Sequence, residues 1–134
     1  MVYSTAMRIT GDPHESYDIA QQVFVRVHAQ FEELQNHENV GGWLRLTARN
    51  LSINYVRRHA RRLLPFGVGR ELPDPDPDDT VWLYERHELL RLALRSLPVH
   101  MRAVIALHYY ESLSCEQIAR ELKCSIGKVK TDLH

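Results

Sequence analysis

Four polar side chains on one stripe carry the first chemistry of this sequence. Asn50, Asn54, Arg57 and Arg61 recur at three- and four-residue intervals, so a helix there sets two amides and two guanidiniums on one face. Amides pair with base edges and guanidiniums with phosphates, so such a face suits a nucleic acid. Six arginines crowd the stretch: Arg45, Arg49, Arg57, Arg58, Arg61 and Arg62. One or two near a helix C-terminus would only offset its macrodipole, by about 0.3–1 kcal/mol each. Six, aligned with asparagines, favour a polyanion bound with steep salt dependence. A second set, Ser125, Lys128, Lys130 and Thr131, falls on the outer face of a short segment near the end of the chain.

Other chemistries find little footing. None of the eight histidines is paired at a spacing of three or four, and no H-E-x-x-H motif occurs. They read as solvated or half-buried side chains. Cys115 and Cys124 match neither a paired zinc knuckle nor a redox dithiol, and read as reduced cytosolic thiols. No Gly-rich phosphate loop, nucleophile elbow or positioned acid–base pair appears. No apolar run approaches the ~20 residues needed to span a bilayer. The expectation is a cytoplasmic, soluble, non-enzymatic chain without metal or cofactor and without membrane insertion.

The elements that must position these residues divide at LLPFGVGRELPDPDPDD, where Pro, Gly and repeated Asp replace helical periodicity. Its prolines and mutually repelling aspartates predict an extended linker, residues 64–80, between segments 1–63 and 81–134. Glu71, Asp74, Asp76, Asp78 and Asp79 make it an acidic strap beside the arginine cluster, although 17 basic and 17 acidic residues leave the whole chain at zero formal charge.

In the first segment Asp12-Pro13 is a helix start, and Ile19, Val23 and Val27 mark a buried stripe, predicting a helix over 13–29. The polar stretch AQFEELQNHENVGG reads as a loop. Trp43, Thr47, Leu51 and Tyr55 then form the expected buried stripe of a second helix running to about residue 62, with Trp43 as a core anchor. In the second segment Leu89, Leu90, Ala93, Leu94 and Leu97 predict a helix stopped by Leu97-Pro98, and another runs from about 99 to 110. Ser114 and Gln117 form a capping box for a helix carrying Ile118, Ala119 and Leu122, and Ser125 caps a last helix holding Val129 and Leu133. Two short helices around the turn at Lys123-Cys124 make a helix-turn-helix, in which Ala119 permits close crossing and Val129 locks the pair. The same spacing also suits a plain helical hairpin with a solvated lysine face. The fold expected is all-α: two small helical domains joined by an acidic Pro-rich linker, the second containing the helix-turn-helix.

With those motifs laid out, the chain resembles the extracytoplasmic-function sigma factors, a compact branch of the bacterial sigma-70 family. The resemblance rests on Asp18, Gln21 and Phe24 within SYDIAQQVFVRV, on WLRLTARNLSINYVRR, and on SLPVHMRAVIALHYYESLSCEQIARELKCSIGKVK, in that order and over nearly the whole chain. It implies a domain at 1–63 that docks on core RNA polymerase and reads the ten-region of a promoter. It also implies a domain at 81–134 that reads the thirty-five-region. Asp18, Gln21, Gln22 and Phe24 would contact polymerase. Asn50 and the loop from about 31 to 42 would capture a flipped base, which offsets a few kcal/mol of lost stacking and pairing. Arg57 and Arg58 would hold phosphates, and Ser125, Lys128 and Lys130 would read or clamp DNA. The acidic linker would follow a basic polymerase channel, and an anti-sigma protein is a further expected partner.

Departures from the family pattern are Gln22 for a usual glutamate, His28 for a tryptophan, Lys123 for a turn glycine and Asp132 for a common arginine. Family members carry another helix ahead of the segment that begins at Met1 and a basic turn beyond Leu133, so the second domain is expected to be truncated. The competing reading is a helix-turn-helix regulator independent of polymerase, which a stable homodimer on a two-fold symmetric operator would favour.

Overall fold

Backbone capping decides where most of these helices begin. The computed structural model describes residues 1–59 and 81–134, and among them the chain forms eight helices and no strand. In order these are α1 (Val2–Thr10), α2 (Pro13–Ala29), α3 (Phe31–Gln35), α4 (Val40–His59), α5 (Val81–Ser96), α6 (Val99–Tyr109), α7 (Cys115–Leu122) and α8 (Ile126–Leu133). Arg61 and the expected linker at 64–80 lie outside the described residues.

Asp12 starts α2 as expected, its carboxylate accepting from the backbone N–H groups of His14 and Glu15 ahead of Pro13. Immediately before it stands α1, which the sequence reading had left unassigned. Gly11 ends α1 in the left-handed region at φ 64, its N–H donating to the Met7 carbonyl. The helix is amphipathic all the same: Val2, Thr5, Ala6, Ile9 and Thr10 are its buried positions.

Two expectations in the first half need correction. Residues 29–42 are not one loop: they contain α3, and α4 begins at Val40, before Trp43. Asn39 produces that early start. Its side-chain oxygen accepts from the Gly42 N–H at 2.7 Å and its carbonyl accepts from Trp43, a combination that offsets the low helix propensity of Gly41-Gly42. The buried stripe of α4 is also rotated from the one expected. Ala48, Ser52, Ile53 and Val56 are buried together with Thr47, whereas Trp43, Leu51 and Tyr55 are only partly covered. Close helix approach explains the rotation, because Ala48 packs with Ala6, Val2, Ile19 and Val23 in a cluster that small side chains permit.

The larger buried cluster joins the two halves. Ile9, Ile53 and Val56 from the first pack with Ala103, Val104, Leu107, Ile118, Leu122 and Val129 from the second. Burying such side chains contributes about 1.5–3 kcal/mol each relative to exposure. Polar links reinforce the join. Arg102 of α6 donates to the carbonyls of Leu94, Arg95 and Leu97 at the end of α5, and to Thr10 at the end of α1. One guanidinium thereby serves the open carbonyls of two helix C-termini, and its burial lowers its pKa from the ordinary arginine value. Arg45 of α4 donates to the Tyr110 carbonyl and pairs with Glu111 at 3.1 Å.

Candidate nucleic-acid and partner interfaces

The helix-turn-helix is built from its caps inward. Ser114 accepts from the Gln117 N–H while the Gln117 side chain accepts from the Ser114 N–H, so the capping box of α7 closes both ways. Lys123 ends α7 at φ 52, with Cys124 N–H donating to the Ala119 carbonyl at 3.0 Å. Ser125 then caps α8 by accepting from the Lys128 N–H. Ala119 and Val129 lie in the core between the two helices, as their spacing predicts. The Cys124 thiol packs partly buried against that core, and desolvation pushes its pKa up, which makes it a poor nucleophile.

This scaffold leaves Ser125, Lys128, Lys130 and Thr131 exposed on α8. Not all are equally free. The Ser125 hydroxyl is occupied as the cap, and Thr131 donates to the Gly127 carbonyl at 2.9 Å. Lys128 pairs with Asp132 at 3.3 Å. Among the described residues Lys130 makes no ion pair, which leaves it as the cation of α8 most available to an external phosphate.

On α4, Asn50, Asn54 and Arg58 are exposed, and Arg57 is half-buried. The Arg57 Nε donates to the Glu121 carbonyl of α7 at 2.6 Å, with the Glu121 carboxylate 4.0 Å away, and its Nη1 donates to Asn54 at 3.2 Å. The structure therefore brings Asn54 and Arg57 together, but turns Arg57 onto the Glu121 carbonyl near the C-terminus of α7 rather than outward. A cation at a helix C-terminus is stabilised by the macrodipole. Sequence reasoning missed this pairing, since no local spacing links residues 57 and 121.

A third surface lies on α2. Asp18, Gln21, Gln22 and Phe24 are all exposed, and the same region exposes Tyr17 at 60%, Phe24 at 58%, Val25 at 68% and, from α3, Phe31 at 55%. Large apolar side chains set among amides and one carboxylate have the composition of a protein-docking surface with a polar rim. The sequence reading named Phe24 for this role; Tyr17 and Val25 extend the same face.

Among the described residues no cluster of His, Cys, Asp and Glu has the arrangement of a metal site, and no helix is long and apolar enough to cross a membrane.

The chain matches two family descriptions: Sigma-70 region 2 over residues 1–62 and Sigma-70, region 4 over residues 87–134. It is similar to the ECF RNA polymerase sigma factor SigL of Mycobacterium tuberculosis, at 32% identity over 100% of this chain and 77% of the relative. Similarity also extends to the ECF RNA polymerase sigma factor SigE of Mycolicibacterium smegmatis, at 34% identity over 99% of this chain and 53% of the relative. The ECF RNA polymerase sigma factor SigW of Bacillus subtilis matches at 26% identity over 99% of this chain and 77% of the relative. The chain thus spans about half the length of the Mycolicibacterium relative and about three quarters of the other two.

Proposed function

This chain belongs to the sigma-70 family, in its extracytoplasmic-function branch, and from that premise we propose that it docks on core RNA polymerase and directs promoter recognition and melting. The observation that carries the proposal is the coexistence of three exposed surfaces of the required chemistry on one small helical chain. The α2 face, with Asp18, Gln21, Gln22 and Phe24, meets polymerase. The α4 face, with Asn50, Asn54, Arg57, Arg58 and, beyond the described residues, Arg61, meets the ten-region. The α8 face, with Ser125, Lys128, Lys130 and Thr131, meets the thirty-five-region. The work is differential binding, in which affinity for opened DNA exceeds affinity for the duplex; no covalent chemistry is required of the protein, and its place of action is the cytoplasm. The domains that do this work are residues 1–63 and 81–134.

Geometry adds a step. Elements named for positions ten and thirty-five are separated by about 25 base pairs, roughly 85 Å of duplex at ~3.4 Å per pair. A folded body of this chain length is only about 35–40 Å across, from a radius of gyration near 14 Å. With the halves joined through Ile53, Val56, Val104 and Leu107, one chain cannot reach both elements. Engagement of polymerase and promoter therefore has to part the halves. Parting also releases Arg57 from the Glu121 carbonyl and returns it to the DNA face.

Cell-free transcription with bacterial core polymerase on a pool of promoter fragments tests the proposal. The expected result is initiation from a fixed subset of fragments that core polymerase alone ignores. Initiation no different from core alone, together with binding of the chain as a homodimer to a two-fold symmetric site, would replace it with a polymerase-independent regulator.

A further inference from the structure

Asp132 belongs to α8 but points inward. Its side chain is 6% exposed, and a single oxygen, Oδ2, lies 2.7 Å from Nδ1 of His100 on α6 and 3.3 Å from Nζ of Lys128 one turn back on α8. A carboxylate only accepts, so His100 presents an N–H from Nδ1. The His100 side chain is itself 12% exposed, whereas Lys128 is 51% exposed. The three side chains thus form a chain from the interior to the surface, with the carboxylate at its centre.

The Lys128–Asp132 pair is not an ordinary helix-surface contact. On an exposed helix the weaker order is the one found here, with the cation N-terminal to the acid. What fixes the pair is the anchoring of Asp132 by His100, which holds the carboxylate still against the neighbouring α6. A lysine tied to a fixed, nearly buried carboxylate has lost the free rotation that lets an ammonium seek any nearby phosphate.

We infer that Asp132 is a specificity-determining residue of the helix-turn-helix, which keeps Lys128 on the helix surface and off the DNA phosphates and so weakens sequence-independent binding. The inference rests on the reading of α8 as a DNA-facing helix. Phosphate contacts carry affinity without sequence information, whereas base contacts carry the information. Withholding one cation from the backbone lowers binding to arbitrary DNA and leaves the base-reading face with a larger share of the discrimination. Lys130, which makes no ion pair among the described residues, remains for the phosphates.

The test uses the full chain, a labelled 30-base-pair duplex of arbitrary sequence, and the slope of log affinity against log salt. Asp132→Asn should steepen that slope by about 0.9, the value of one additional phosphate contact, which corresponds to roughly fifteenfold tighter binding at 50 mM salt if affinities converge near 1 M. The Asp132→Asn/Lys128→Ala double variant should return to the wild-type slope. An unchanged slope in a folded Asp132→Asn variant overturns the inference. Steepening that survives in the double variant also overturns it, because the carboxylate would then be acting on the DNA directly. Absence of binding by wild type and every variant would instead remove the DNA-facing reading of α8, and the inference with it.

Discussion

Replacing Arg102 by methionine removes the guanidinium while keeping an unbranched stem of similar packing. The wild-type side chain donates to four carbonyls: Thr10 at 2.6 Å, Leu94 at 2.8 Å, Leu97 at 2.8 Å and Arg95 at 2.9 Å. The bond to Arg95 is exposed, and water replaces it at little cost. The other three are part-buried, and a carbonyl left without its donor costs about 1–3 kcal/mol when water reaches it poorly. Against this stands the regained desolvation of a guanidinium whose pKa is already lowered by burial. A net loss of about 3 kcal/mol follows, roughly a fifth to three fifths of the stability of an ordinary domain. At about 2.1 cal/mol/K per residue of unfolding entropy, this lowers the melting temperature by about 10 °C. Urea unfolding followed by helical circular dichroism measures it, with Arg95→Met, at an exposed neighbour, as the control expected to change by less than about 0.5 kcal/mol. A loss below about 1 kcal/mol, or one no larger than the control, would refute the claim that a single guanidinium joins the ends of α1 and α5.

Three further outcomes are expected. Gly11→Ala should destabilise the chain by more than ~2 kcal/mol in the same assay, because the left-handed conformation costs about 1–2 kcal/mol for a residue with a Cβ and that Cβ would stand 2.0 Å from Arg102 Nη1. Lys123→Gly should raise the melting temperature by a few degrees, since φ 52 holds a lysine where glycine rests without strain, and relief is worth about 1 kcal/mol. Burial, reinforced by Asp12 and Glu15, raises the Tyr55 pKa above its ordinary value, so the folded state holds this proton more tightly than the unfolded state. The associated stability is therefore complete below about pH 10 and is lost as pH rises through the folded-state pKa. Tyr55→Phe should flatten the alkaline fall in unfolding free energy, read from urea titrations at pH 9 to 11.5; an unchanged fall would remove Tyr55 as its source.

What could be read from sequence was what local chemistry decides. Asp12-Pro13 fixed the start of α2, and Ser114, Gln117, Lys123 and Ser125 fixed the helix-turn-helix, because caps and turns act over three or four residues. The buried stripe expected along α4 was misplaced. That error arose because large residues were assigned to the core, whereas Ala48 and Ser52 are buried by the close approach of α1. Other features were invisible for a simpler reason. Arg57 to Glu121, Arg102 to Thr10 and His100 to Asp132 join positions 64, 92 and 32 residues apart, and no spacing rule couples them. Asp132 shows the consequence most clearly: by sequence it stands where the family commonly has an arginine, whereas in the fold its carboxylate is turned inward and occupied.

Co-elution of the purified full chain with bacterial core RNA polymerase is the most direct test of the central claim, with Asp18→Arg as the discriminating variant. Asp18 is exposed on α2 beside Gln21, Gln22 and Phe24, so reversing its charge leaves the fold intact and alters only the proposed docking face. The account predicts a stable complex with the wild-type chain and none with Asp18→Arg at equal helical content. A folded wild-type chain that elutes apart from polymerase, or a variant that binds as tightly as wild type, would contradict it.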